Sequence, residues 1–157
     1  QTDEGDIIYG EEIQDYLYPI QNDYQKRMRA NSEKVRNHIG SIPIEKTKFM
    51  ISLVPEGKNY KALPEEYQGI YKYHEALTRY HSKKPSNTIN TGHRSHFHYK
   101  WNRIPTVRES ARLQSFPDDF IFYGNKSEQY RQVGNAVPPI LGQVVADALL
   151  PYLKDGE

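Results

Sequence analysis

The C-terminal stretch ILGQVVADALLPYL has apolar residues at the spacing of one helix face, and it directly follows two prolines. Pro138 or Pro139 suits the first turn of a helix, where a missing backbone N–H leaves no hydrogen bond unmade. The apolar side chains of the predicted helix share one face: Leu141, Val144, Val145, Ala148, Leu149 and Leu153. Because so broad an apolar face is rarely left in water, we expect the helix to dock on the rest of the chain or on a second copy.

A second helix has sharp bounds. Thr106 and Glu109 have the spacing of a capping box, in which the two side chains satisfy each other's backbone N–H groups. The predicted helix runs from about Val107 to Ser115, and Phe116-Pro117 ends it.

The composition fits one globular domain. The 157 residues are 36% hydrophobic and 26% charged, which excludes a disordered chain, and the absence of cysteine excludes disulfides and thiolate zinc sites. No apolar run approaches the ~20 residues of a membrane span, and the acidic start lacks the features of a signal peptide. We therefore expect a cytoplasmic protein without a membrane partner.

The net charge of +1 conceals a strong asymmetry along the chain. Residues 1–24 carry seven acidic and no basic residues, whereas residues 25–103 carry sixteen basic and six acidic ones and all six histidines. A basic segment rich in tyrosine and histidine is typical of a surface that binds a phosphate backbone. A solvated lysine-rich face is the alternative that charge alone leaves open.

The first hundred residues give weaker signals. We predict a short helix over 11–20 that ends near Pro19, and a helix over 24–35 capped by Asn22-Asp23. Strands are predicted at 48–54, at 76–81 and around Thr88–Thr91, the last of which leads into an exposed basic loop. The predicted fold class is α+β: an irregular, strand-containing recognition lobe with flanking helices and a C-terminal helix.

Two long motifs identify a family. RIPTVRESARLQSFPDDFIFYG, followed by YRQVGNAVPP, closely resembles the ninth and tenth signature motifs of the DNA (cytosine-5) methyltransferases, in order and near their usual separation. Within PSNTINT, the pair Thr88-Ile89 resembles the Thr-plus-aliphatic dipeptide of that family's target-recognition region. The resemblance divides the chain into a variable, DNA-facing region at 1–105 and a segment at 106–157, whose last helix returns to the catalytic domain.

The resemblance implies methyl transfer from S-adenosylmethionine to C5 of a cytosine flipped out of double-stranded DNA, in a bacterial modification system. It also implies what this chain lacks: the Pro-Cys nucleophile motif, the Glu-Asn-Val motif, the glycine-rich cofactor loop and most of the parallel catalytic sheet. We expect a C-terminal piece, inactive alone, whose partner is a catalytic domain or subunit carrying the Pro-Cys motif. The alternative is a non-catalytic DNA-binding or partner-binding module derived from such an enzyme.

Gln25, Arg27 and Arg29 fit the spacing of the family's eighth motif, QxRxR. That motif leads directly into an apolar strand, whereas a polar, helix-like stretch follows here. We therefore favour an ordinary basic helix face and a chain that begins after the eighth motif.

The resemblance also assigns candidate site residues. Those nearest the cofactor are Gly134, Asn135, Ala136 and Val137; many relatives have Ser where this chain has Ala136. Their structural alternative is a glycine turn before a proline-started helix. Those expected to contact DNA are Lys83, Lys84, Asn87, Thr88, Ile89, Thr91, Arg94 and Lys100.

A third set is expected to brace the recognition region: Thr106, Arg108, Glu109, Arg112 and Gln114. Substitution of Arg108 by alanine should therefore reduce stability before it reduces DNA affinity. His93, His96 and His98 could bind a metal, but with Arg94 between them and no carboxylate nearby we predict no metal site and favour DNA-facing or surface histidines.

Overall fold

The computed structural model describes residues 12–41, 43–70, 76–92 and 95–154. Within them the elements are, in chain order, β1 (Ile13–Gln14), α1 (Asp23–Arg29), β2 (Val35–Arg36), α2 (Glu45–Ser52), β3 (Thr78–Arg79), β4 (His96–Phe97), α3 (Val107–Leu113), α4 (Lys126–Asn135) and α5 (Pro139–Lys154). Short 3-10 turns occupy Tyr60–Ala62 and Glu65–Tyr67. The fold is mixed α and β, with small sheets and a C-terminal helix, as predicted.

The described strands form two short pairs. β1 lies antiparallel to β2, with Ile13 opposite Arg36, and β3 lies parallel to β4, with Thr78 opposite His96. The helix predicted over 11–20 is wrong for the described residues, because Gln14 is buried in the β1–β2 pair and donates from Nε2 to the carbonyl of His38 at 3.2 Å.

The start of α1 is as predicted. The Asn22 side chain accepts from the backbone N–H of Gln25 at 2.9 Å. The helix ends at Arg29, however, and not at residue 35. Val35 instead belongs to β2 and is buried there, and this tertiary contact outweighs the helical preference of the polar stretch before it.

The strand predicted at 48–54 is wrong, since most of this stretch belongs to α2. Met50, Ile51 and Val54 are buried, and Thr47 is half-buried, so the inward positions follow the i, i+3, i+4, i+7 spacing of a helix. A short apolar run fits either element, and here the period of the buried side chains decides between them.

The strand predicted around Thr88–Thr91 is also wrong: residues 85–90 carry no regular hydrogen-bonded structure. β4 forms instead within the stretch expected to be an exposed basic loop. Phe97 explains this, because it is buried and the Tyr80 N–H donates to its carbonyl at 3.0 Å. The strand predicted at 76–81 is confirmed as the shorter β3.

Among the described residues, two hydrophobic clusters form the core. The first brings together α2, the 3-10 region that follows it, the residue before β3, and β4: Met50, Ile51, Val54, Leu63, Leu77 and Phe97. The second joins α3 to α4 through the intervening loop: Val107, Ala111, Phe116, Phe122, Tyr130 and Val133. Ile104 packs against both clusters and therefore joins them.

The helix predicted from Val107 is confirmed, including its capping box and its end before Phe116-Pro117. Glu109 also receives a bidentate ion pair from Arg103, at 2.6 and 2.7 Å. Burial alone would raise the pKa of Glu109, but the hydrogen bonds and charge of Arg103 outweigh it and lower that pKa to about 2. Gln114 joins α3 to α4 by donating to the carbonyl of Val133 at 3.1 Å.

Arg108 is fully buried and donates hydrogen bonds to backbone carbonyls from distant parts of the chain. Its guanidinium donates to the carbonyls of Arg36, Pro117 and Phe120 at 2.9, 3.0 and 2.6 Å. Beside it, buried Asn37 exchanges hydrogen bonds with the backbone of Phe122, at 2.8 and 3.1 Å. Arg108 thus holds the β2 region against the loop after α3.

Asp118 is the buried counter-charge. It accepts a bidentate pair from Arg112, at 2.9 and 2.6 Å, and a hydrogen bond from the Tyr16 hydroxyl at 2.7 Å. Its own N–H donates to the carbonyl of Met28 at 2.7 Å. The five residues predicted to brace this region therefore bond within the chain.

The C-terminal helix begins at Pro139, as predicted, and its first turn contacts the lobe, where the Ile140 N–H donates to Ser115 Oγ at 3.1 Å; most of its apolar face, however, is left exposed. Leu141, Val145 and Leu149 are each more than half exposed. By length and composition alone, Lys126–Leu153 is a candidate membrane span among the described residues. The helix is interrupted between Asn135 and Pro139, however, and the 16 residues of α5 fall short of the ~20 that a span needs.

We predict that Arg108→Ala lowers the free energy of unfolding by about 3–5 kcal/mol, since it leaves buried carbonyls without donors. Chemical denaturation followed by circular dichroism measures this. Arg131→Ala, at an exposed position of α4, is the matched control and should change stability by less than about 0.5 kcal/mol. Equal effects of the two substitutions would contradict the role of Arg108.

A second prediction concerns acid. Because the folded-state pKa of Glu109 is about 2, below its ordinary value of 4.5, the Arg103–Glu109 pair stabilises the fold above about pH 4.5. This contribution, on the order of 3 kcal/mol, is lost as the pH falls towards 2. The stability difference between the wild type and Glu109→Gln should therefore shrink from pH 5 to pH 2.5 in urea unfolding. A difference that is constant with pH would contradict the assignment.

Candidate nucleic-acid interface

Asn87–Thr91 lies at the surface as an irregular segment with two kinds of side chain. Asn87, Thr88 and Thr91 are exposed, as residues that contact DNA must be. Ile89 is half-buried and packs against the second hydrophobic cluster. The structure thus presents polar side chains outward and gives Ile89 an anchoring position.

Asn87 also lines a surface groove of about 510 Å³ whose other wall is the loop after α2. That loop contributes Lys58 and Lys61, both exposed, which the sequence reasoning did not single out. Neither makes an ion pair within the described part of the chain. The Pro-Glu-Gly turn followed by closely spaced lysines was the signal that could have identified them.

The wall of the groove is fixed by backbone hydrogen bonds. Gly57 donates to the carbonyl of Tyr80 at 3.2 Å, and Arg79 donates to that of Lys58 at 2.9 Å. Gly57 has a φ of +73°, and a Cβ there would lie 2.8 Å from the His81 ring, so glycine is required at this turn. The lysines therefore project from an ordered backbone.

The other predicted phosphate contacts lie at separate positions. Lys83 and Lys84 are exposed in the turn after β3. Lys100 is exposed too, with its ammonium 4.6 Å from the centroid of the Trp101 ring. Arg94 lies outside the described residues. The structure therefore brings Asn87 together with Lys58 and Lys61, and it leaves Lys100 on a different loop.

The prediction of DNA-facing or surface histidines is wrong for His96, which is buried and stacks on Tyr80 with ring centroids 5.3 Å apart. His98 is half-buried, and its Nδ1 accepts from the N–H groups of Lys100 and Trp101, each at 3.1 Å. Burial lowers the pKa of His98 to about 4, so the ring is a neutral acceptor near pH 7. Among the described residues no cluster suits a metal ion, and His93 lies outside them.

The arginines of α1 are held within the chain. Arg29 donates to the Tyr18 carbonyl at 2.8 Å and lies 4.1 Å from the centroid of the Tyr16 ring. Arg27 donates to the side chain of Gln143 in α5 at 2.9 Å. Gln25, Arg27 and Arg29 are thus part of a helix, as the interpretation of this stretch as a basic helix face predicts.

The GNAVPP stretch joins α4 to α5. Gly134 and Asn135 form the last turn of α4, so the expected glycine turn is replaced by a continuing helix. Asn135 and Val137 are exposed, and Ala136 packs partly against the second cluster. The side chain of Asn135 and the apolar surface of Val137 are therefore available to a ligand or to another protein surface.

The family model for C-5 cytosine-specific DNA methylases matches residues 6–150. Type II methyltransferase M1.HphI of Haemophilus parahaemolyticus is 49% identical over 100 residues, covering 64% of this chain and 27% of that protein. Type II methyltransferase M.DdeI of Desulfomicrobium norvegicum is 32% identical over 165 residues, covering 93% of this chain and 40% of that protein. The chain thus spans less than half of either relative and aligns with a C-terminal portion.

The fold has a solved counterpart. A crystal structure described as that of a DNA modification methyltransferase encoded within an E. coli prophage superposes with a TM-score of 0.73 and 20% sequence identity. The match covers 95% of this chain and 44% of that one. At this identity the likeness establishes the fold. Together with the family match over residues 6–150, it leads to one conclusion: the chain belongs to the C-5 cytosine-specific DNA methylase family.

Proposed function

We propose that the chain is the target-recognition and C-terminal part of a DNA (cytosine-5) methyltransferase, acting on duplex DNA in the bacterial cytoplasm. The observation that carries the proposal is the family match, which extends over the described recognition segment and over both long motifs. The relatives that align with the chain are named type II methyltransferases, which are modification enzymes.

The DNA-contacting surface is proposed to combine Asn87, Thr88 and Thr91 with the lysines of the groove. Hydroxyl and amide side chains suit hydrogen bonding to base edges, and exposed ammonium groups suit phosphates. The order of the loop supports this role, since Lys58 and Lys61 reach the groove from a backbone that is already fixed.

The cofactor-side edge is proposed to be the end of α4, with Gly134, Asn135, Ala136 and Val137. S-adenosylmethionine supplies the methyl group in such enzymes. The residues present fit one edge of its site: Asn135 offers an exposed amide and Val137 an exposed apolar surface, and no charged side chain stands in this stretch. With alanine at position 136, contacts there are limited to backbone groups and packing.

The remaining chemistry must come from outside this chain. The sequence has no cysteine, so the thiolate that attacks C6 of the flipped cytosine belongs to another part of the enzyme. We propose that this catalytic part also covers the exposed apolar face of α5, since the aligned relatives extend well beyond the matched segment. The same absence of a thiolate favours the second candidate, a non-catalytic module that binds DNA or a partner.

Reconstitution tests the proposal. When the chain is joined to or coexpressed with a catalytic part carrying the Pro-Cys motif, we expect transfer of labelled methyl from S-adenosylmethionine to duplex DNA. Substitution of that cysteine by serine is the control and should abolish transfer. DNA binding without any methyl transfer would favour the non-catalytic module. Association of the chain with itself, and not with the catalytic part, would contradict the role given to α5.

The groove lysines give a separate prediction. Lys58→Ala combined with Lys61→Ala should weaken binding to duplex DNA about equally for all sequences. The slope of log K against log salt concentration should also become shallower, by the equivalent of up to about 2 phosphate contacts. Fluorescence anisotropy over a range of salt concentrations measures both. Lys46→Ala, at an exposed position of α2 outside the groove, is the control. An unchanged salt slope in the double variant would exclude the groove from the interface.

A further inference from the structure

Gly134 lies where α4 meets the backbone of the recognition segment. A Cβ placed on Gly134 would stand 2.7 Å from the carbonyl carbon of Asn90 and 2.8 Å from both the Asn90 oxygen and the Thr91 nitrogen. Favourable contacts between carbon atoms lie near ~3.5–4.0 Å. Any other residue at this position would therefore collide with main-chain atoms.

The need for glycine here is steric and not conformational. Positive φ angles occur at Gly57, Gly69 and Gly124 among the described glycines, and Gly134 has ordinary helical geometry. A side chain facing a flexible neighbour could be accommodated by a change of rotamer. Asn90 and Thr91 present backbone, so the whole segment would have to move away from α4.

Neighbouring contacts show that the segment packs beside the C-terminal end of α4. Ile89 packs against the cluster that contains Tyr130 and Val133. Tyr130 lies about one turn before Gly134, and Val133 directly precedes it. Tyr130 is itself fixed by its hydroxyl, which donates to the Pro105 carbonyl at 2.6 Å. Ile89, Asn90 and Tyr130 also line one small surface pocket, which places the segment beside α4.

The contact joins two candidate parts of the site. On one side are the outward-facing Thr88 and Thr91, and on the other is Asn135, the neighbour of Gly134 in the chain. We propose that Gly134 is a positioning residue for sequence recognition: it sets the distance between the base-reading segment and the cofactor-side end of α4. The inference rests on the proposed function and adds the residue that fixes the geometry between the two parts.

Gly134→Ala tests the proposal, with Gly142→Ala as the matched control. Both are glycines within helices, but a Cβ at Gly142 meets nothing within 4 Å. Alanine is the better helix former, so Gly142→Ala should keep or raise the melting temperature. If Gly134 were only a helical residue without a close neighbour, Gly134→Ala would likewise keep or raise the melting temperature. We expect instead a lower melting temperature and at least tenfold faster hydrogen exchange at the amides of residues 89–92.

The functional measurement uses the reconstituted enzyme. Bisulfite sequencing of methylated plasmid DNA reports how strongly one sequence is preferred, and Gly134→Ala should reduce that preference at least tenfold while Arg131→Ala, at an exposed position of the same helix, leaves it intact. Wild-type exchange and wild-type preference in Gly134→Ala would overturn the proposal. If Gly134→Ala does not fold, Ile89→Ala loosens the same segment from its other anchor, and faster exchange with unchanged preference would overturn the proposal equally.

The two readouts also separate this inference from the proposed function. If the wild-type enzyme methylates no DNA, the proposed function fails. The exchange measurement still decides whether Gly134 holds the segment, because it requires neither DNA nor cofactor. Unaltered protection of residues 89–92 in a folded Gly134→Ala chain would refute the contact itself.

Discussion

The structure depends on one buried cation, the guanidinium of Arg108. A buried guanidinium is costly unless its donors are matched, and here they are matched mainly by main-chain carbonyls of Arg36, Pro117 and Phe120. Those carbonyls lie in segments that have little regular secondary structure to satisfy them. The side chain therefore supplies the donors that a neighbouring strand would otherwise provide to these carbonyls, and Asp118, 3.9 Å away, balances its charge. This explains how an irregular lobe keeps an ordered shape with only small sheets.

Where the signal was local, the sequence predicted the structure well. The capping box at Thr106 and Glu109, the stop at Phe116-Pro117 and the cap at Asn22 each involve residues close together in the chain, and each is confirmed. The errors fall where distant contacts decide. The 48–54 run is helical because of what it packs against, and His96–Phe97 forms a strand because β3 lies beside it. α4 was not predicted, although Asn125 and Glu128 form a capping box there too.

The candidate site was predictable in part for the same reason. A motif identifies residues such as Asn87 and Thr88, but it does not show which other loop will face them, so Lys58 and Lys61 were missed. Gly134 illustrates the opposite case. The resemblance assigned it only to the cofactor side, with a glycine turn as the alternative, whereas the structure shows a close approach to the backbone of Asn90 and Thr91. A glycine whose neighbour is main chain cannot be recognised without knowing which segment comes near.

The hydrogen bonds that join the N-terminal segment to the loop after α3 affect the order in which the chain folds. Tyr16 is 102 residues away from its acceptor in sequence, and Asn37 is 85 residues away from the Phe122 carbonyl. Contacts of such separation close long loops, and the entropy lost in closing them is recovered only after the partners meet. α3 and α4 adjoin in sequence and can pair early, so we expect the N-terminal segment to add last onto a helix pair already formed. In that order Arg108 would meet its Pro117 and Phe120 acceptors first, and the Arg36 carbonyl would complete its set of partners when the N-terminal segment packs on.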